Sequence, residues 1–242
     1  MGNAVYGETL EYVDGIVVRK PLTLGAWGLD VTGFVGGYDL KAQIPPSTGV
    51  TVLNTRNENT IGGQLWLNTP IRGVRLGVFG NNYASTPSAS LPEASRPKRT
   101  TTMMYSAEAA FSKVFLRSEA TTFKQTRAPN FVDVATWYVQ GGVHLTEQVT
   151  VTGEYNDGRN IVRFAGTPIP DLSLPFNQDL ALGVSFKPSA QVSFKLEGHS
   201  AEGYQFDRPV PSVIPPTTPP LVARLAPVSK TVYGLASVSF SF

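Results

Sequence analysis

The 242-residue chain has no cysteine and only two histidines, His144 and His199. The missing thiols remove disulfide frameworks, thiol nucleophiles and thiolate zinc sites together. Two widely separated histidines leave no His-rich metal centre and no mechanism that needs a catalytic histidine pair, so no metal and no other cofactor is expected. Charge is also scarce: Asp, Glu, Lys and Arg make up 16% of residues, against roughly 25% in ordinary soluble domains. The formal net charge of +2 does not build the strongly basic patch of a nucleic-acid binder, and no nucleic-acid partner is expected. Long apolar runs are absent, because Asp, Glu, Lys, Arg or Pro interrupts each stretch short of the ~18–20 residues of a spanning helix. The opening residues have no basic segment followed by an apolar one and turn acidic at Glu8, Glu11 and Asp14. They do not read as a signal peptide, which suits a mature chain, a fragment or a cytosolic protein.

What the chain does contain is 23 Gly, 19 Pro, 13 Phe and 9 Tyr, a composition that favours strands and turns. Alternation with a period of two is the dominant pattern. In 191–200, Val192, Phe194, Leu196 and Gly198 fall on one face, and Ser193, Lys195, Glu197 and His199 on the other. In 179–186, Leu180, Leu182, Val184 and Phe186 oppose Asp179, Ala181, Gly183 and Ser185, and Lys187-Pro188-Ser189-Ala190 joins the two runs as a hairpin. Equivalent runs oppose Val149 and Val151 to Glu154, Trp137 and Val139 to His144, Val114 and Leu116 to Arg117 and Glu119, and Met103 and Tyr105 to Glu108. Further back, Val74, Leu76 and Val78 oppose Arg75; Ile61, Leu65 and Leu67 oppose Gln64; and Trp27, Leu29 and Val31 oppose Asp30. With the run over 231–242, ten strands are predicted.

The expected connections alternate in length. Short turns fall at 69–73, at Ser112-Lys113, at Thr146-Glu147 and at 187–190. Long polar or Pro-rich segments fall at 39–59, 83–100, 125–133, 157–177 and 201–230. Short turns at one end and long loops at the other are the pattern of a transmembrane up-and-down barrel. Aromatics near strand ends (Trp27, Phe111, Phe186, Phe240, Phe242) suit a lipid-facing girdle, and confinement of the charges to the opposite face suits a wet lumen. The expectation is therefore an all-β, antiparallel, transmembrane barrel occupying 1–242 as one domain, with a leading segment over 1–20 and a Pro-rich loop over 201–230. If the alternation of Tyr12, Asp14, Ile16 and Val18 is a strand, with Lys20 to Gly25 as its turn, the count becomes eleven. That count suits a truncated piece of a barrel of roughly 16–18 strands.

The last residues, Leu235 to Phe242, end on Phe with apolar residues two, four and six positions before it. This resembles the terminal strand of Gram-negative outer-membrane barrels, and the resemblance implies that Val238, Phe240 and Phe242 are the signal read by the barrel-assembly machinery. Residues 130–242, above all Phe176 to Pro188 and Lys195 to His199, resemble the last strands of porins related to the phosphate-selective group. The resemblance implies localisation in the bacterial outer membrane, contact with membrane lipid and lipopolysaccharide, homotrimeric assembly as an option, and passive diffusion of small hydrophilic solutes or ions. The mixed lumen departs from the stacked Arg and Lys of that group.

Asp30, Arg75, Glu108, Arg117, Glu119, Glu154, Lys195, Glu197 and His199 are the expected pore-lining residues, where charge rings rather than chemistry would select solutes. Their plainer role is a salt-bridge lattice inside the barrel. Rival readings are a closed structural or binding barrel acting through its loops, an omptin-like hydrolase, and a soluble β-barrel binding protein. For hydrolysis, Glu197-Gly198-His199 puts an acid and a base on one face, but the omptin pattern has Asp there and an Asp-x-Asp partner that this chain lacks. The expectation is a non-enzymatic channel with no catalytic residue.

Overall fold

A computed structural model describes residues 14–43, 52–87, 97–127, 130–164, 172–203 and 230–241. They form eleven strands: β1 (Asp14–Leu24), β2 (Trp27–Gln43), β3 (Val52–Asn68), β4 (Val74–Pro87), β5 (Pro97–Ala110) and β6 (Val114–Arg127). The remainder are β7 (Asn130–His144), β8 (Val149–Phe164), β9 (Leu172–Phe186), β10 (Val192–Gly203) and β11 (Lys230–Phe240). All belong to one sheet in which each strand neighbours the next in sequence, from β1 at one edge to β11 at the other. The pairings from β1 to β4 and from β9 to β11, such as Lys195↔Ser185 and Lys195↔Ser237, are antiparallel.

The count is eleven rather than ten, because residues 14–24 pair with β2 along their whole length, from Asp14↔Gly37 to Leu24↔Trp27. Lys20 to Gly25 is not the turn. Pro21 continues the strand, which an edge strand permits because the missing N–H need not serve a second neighbour. The turn is Gly25-Ala26, where Gly25 takes a φ of 63° that a side chain would disfavour. Residues 1–13 and 204–229, which hold most of the leading segment and of the Pro-rich loop, lie outside the described residues, as does Phe242.

The strands also run further than the apolar alternation. β2 continues to Gln43 and β3 starts at Val52, inside the expected loop 39–59, while only residues 128 and 129 separate β6 from β7. Backbone pairing does not need alternating apolar side chains, so the ladders persist where the hydrophobic signal has ended. The short turns agree with expectation. Thr69 N–H donates to Val74 O at 3.1 Å, and Phe111 N–H to Val114 O at 2.8 Å. Thr146 Oγ1 accepts from Val149 N–H at 3.0 Å.

One irregularity interrupts β3. Between Asn57 and Thr60 the strand spends three steps while β2 spends two, and between Glu58 and Ile61 three while β4 spends two. This is a β-bulge carrying one extra residue, and Asn59 sits in it with a left-handed φ of 52°. Without it, Asn57 and Thr60 would point to opposite faces; with it, both are buried on the same one.

Packing divides the chain into two compact units. The first comprises Met1–Ala107, Glu119–Ala135 and Ile161–Leu172; the second comprises Glu108–Ser118, Thr136–Asn160 and Ser173–Phe242. In the first, Phe34 and Phe79 stack with ring centroids 6.1 Å apart beside Met104, all on the polar face. Tyr38 and Tyr83 meet edge to face at 5.8 Å, and the Tyr83 hydroxyl hydrogen-bonds Tyr38 and Thr100. In the second, Asp179, Ala181 and Ala201 are buried on the polar face. The apolar face is the exposed one in both, with Val35, Ile61, Leu65 and Leu76 open in the first and Leu116, Leu182, Leu196 and Val238 in the second.

Candidate functional site

A sheet whose exposed face is leucine, valine and aromatic and whose sheltered face is Asn, Thr, Asp and Glu reverses the order of a water-soluble protein. It is the order of a wall with lipid outside. In the second unit Phe186 and Phe194 lie 6.3 Å apart at the short-turn end, with Phe111 and Phe240 also exposed. Trp137 and Tyr155, 5.3 Å apart, stand seven residues along β7 from His144, about 23 Å at ~3.3 Å per residue.

The polar face carries the expected site residues in separate small groups. In the first unit Asp30 accepts from Asn68 Nδ2 at 2.9 Å, and the Arg75 guanidinium lies 4.4 Å from the Trp66 ring centre. Glu119 accepts from Ser106 Oγ at 3.3 Å. In the second unit Glu154 accepts from Gln140 Nε2 at 2.8 Å, Arg117 lies 5.5 Å from the Phe115 ring, and Glu108 is half-buried on the same face. The expected insertion residues Val238 and Phe240 are exposed on the apolar face of β11.

The densest group is built by β9, β10 and β11. Lys195 Nζ meets Glu197 Oε1 at 2.7 Å, two residues apart on one face of β10. His199 Nδ1 lies 2.8 Å from Asp179 Oδ2, both side chains less than a tenth exposed, and the imidazole stacks on Tyr233 with centroids 4.6 Å apart and planes within 4°. His199 Nε2 and Asp179 Oδ1 are buried without a hydrogen-bond partner among the described residues. The acid that holds His199 is therefore Asp179 across the hairpin. Glu197, its neighbour in sequence, is engaged by Lys195. The pairing Ala181↔His199 explains this, since Asp179 is the diagonal neighbour two residues further along β9. Chemically the pair is an imidazole oriented by a carboxylate, with its second nitrogen uncommitted. Among the described residues no group of three or more His, Asp or Glu side chains gathers to hold a metal ion.

No known protein family matches the chain, and no curated protein does. Among solved structures the chain is similar to a loop L8 deletion mutant of OmpT, an outer membrane protein of Vibrio cholerae. The identity is 8%, the TM-score 0.50, and the match covers 95% of this chain and 92% of that one. It is also similar to in-vitro folded OmpT of the same organism, at 8% identity and a TM-score of 0.45 over 79% of each chain. A trimer form of OmpT matches at 8% identity and 0.45 over 79% of this chain and 81% of that one.

The fold is thus like that of an outer-membrane β-barrel protein, an antiparallel up-and-down sheet with an apolar exposed side. The likeness in fold to the OmpT deletion mutant also corrects the expectation of a non-enzymatic chain. A barrel of this kind hosts hydrolases as well as pores, so the fold gives no ground for excluding catalysis. The acid beside His199 is Asp179, not the Glu197 that the sequence spacing predicts.

Proposed function

We propose that the chain forms a passive channel through the outer membrane for small hydrophilic solutes or ions, with Asp30, Arg75, Glu108, Arg117, Glu119, Glu154, Lys195, Glu197 and His199 lining it within one barrel domain. The carrying observation is the inversion of the sheet: its sheltered face is polar and charged while its exposed face is apolar. Lipid and lipopolysaccharide contact the apolar face, and Val238, Phe240 and Phe242 serve as the assembly signal. Homotrimers in the manner of porins are part of the same reading.

Within each unit carboxylates outnumber cations among these residues: Asp30 and Glu119 against Arg75, and Glu108, Glu154 and Glu197 against Arg117 and Lys195, with Asp179 in addition. Such a lining favours cations over anions and argues against the phosphate-selective subgroup. Planar-bilayer recording tests both statements. Steady open steps with a cation-selective reversal potential in a salt gradient are expected; electrical silence would support the closed binding barrel instead.

The Asp179–His199 pair supports a second reading, an outer-membrane hydrolase in which Asp179 orients His199 as general base. Cleavage of a fluorogenic peptide or ester by the folded wild type, lost in His199→Ala, would establish it.

A further inference from the structure

The polar face of the first unit is interrupted by Phe34 on β2, Phe79 on β4 and Met104 on β5, which are 4%, 3% and 1% exposed. Phe34 lies seven residues from Trp27, Phe79 five from Val74 and Met104 six from Ala110, so the three share a level above the short turns. Strands β2 and β4 are not neighbours, and their rings meet across β3 because Gly62 lies between them. Phe34 pairs with Gly62 and Gly62 with Asn81. A Cβ on Gly62 would run into the Phe34 ring and stand 2.8 Å from Asn81 Cβ, so only glycine lets the ring cross the strand.

The dry zone extends one step toward the long-loop end. Thr60, Asn81 and Thr102 stand two residues from Gly62, Phe79 and Met104 on the same face, and are 0%, 4% and 4% exposed. Thr60 Oγ1 and Asn81 Oδ1 are buried with no hydrogen-bond partner among the described residues. A water-lined wall would hydrate such a hydroxyl and amide first, because a buried polar group without a partner is costly. On the short-turn side the same face carries Thr32, Gln64 and Ser106, which are only half-buried. The lining is therefore dry at one level and partly open below it.

From this we infer that Phe34, Phe79 and Met104 form an apolar band that narrows the wet path of the channel and limits the size of hydrated solute that passes. The inference rests on the channel reading. Apolar linings hold back ions by dewetting, since they offer nothing in place of the hydration shell. The rival is a small core that only stiffens the wall. The two differ in their response to a polar side chain: a core loses stability, whereas the band also becomes wet and conducts.

The chain has no cysteine, so single thiols report on water access in the full-length protein in lipid vesicles. Met104→Cys should react with a charged, membrane-impermeant thiol reagent far more slowly than Ser239→Cys, whose parent serine is exposed on the polar face of β11. Adding Phe34→Asn should bring Met104→Cys close to the Ser239→Cys rate, whereas Phe34→Leu should leave it slow. In planar bilayers Phe34→Asn and Phe79→Asn should each raise the conductance of single steps severalfold, with Phe34→Leu at the wild-type value and the circular dichroism of the strands unchanged. Labelling of Met104→Cys as fast as Ser239→Cys would overturn the band, and this comparison holds even if an Asn variant does not fold. Wild-type conductance in both folded Asn variants would overturn it too. Silence in the wild type and the Asn variants, with the expected labelling, would instead remove the channel reading and leave the dry band in place.

Discussion

Asp179→Ala would leave His199 Nδ1 buried without its acceptor, a loss of about 1–3 kcal/mol in urea unfolding measured in lipid vesicles. Phe34→Ala should cost more, about 3–5 kcal/mol by the same measurement, because it empties a stacked position beside Phe79 and Met104. The two substitutions mark what was and was not readable at this scale. The side taken by Asp30, Arg75, Glu154 and His199 followed from alternation alone. Their partners did not: Asp179 meets His199 through the register of a hairpin, and Trp66 lies under Arg75 through pairing of β3 with β4. Phe34, Phe79 and Met104 also escaped, because three apolar side chains on a polar face break the pattern that identified the face.

Between residues of one strand, the two faces should respond oppositely to charge. Leu196→Arg puts a guanidinium on the exposed apolar face of β10, where a mid-bilayer site costs about 2–4 kcal/mol. Ser239→Arg, on the polar face of β11 opposite Ser193, should change unfolding in the same vesicles by no more than about 0.5 kcal/mol. Equal costs would mean that the faces are assigned wrongly. Strand identity and sidedness were legible wherever leucine or valine alternates with polar residues. Strand ends were not, since the ladders of β2, β3, β6 and β7 continue through polar sequence. Pro21 misled because its usual meaning, a break, does not hold on an edge strand.

At the level of the whole sheet, β1 and β11 are its two edges, and each of the eleven residues of β1 is exposed. Hydrogen–deuterium exchange in lipid should therefore be fastest in β1 and much slower in β3, which is flanked on both sides. The antiparallel up-and-down architecture was legible in the pattern of turns and faces. Solute and chemistry were not, because they depend on which polar groups the register brings together. Deleting Asn59 would restore strict two-residue phase to β3 and turn over everything before it, exchanging Asn57 for Arg56 and Glu58 on the sheltered side. The stretch from Ile61 to Leu67 would keep its orientation, so a single-codon loss there is survivable near the rim and ruinous a few residues deeper. Length variation among descendants of this gene should accordingly collect at the bulge.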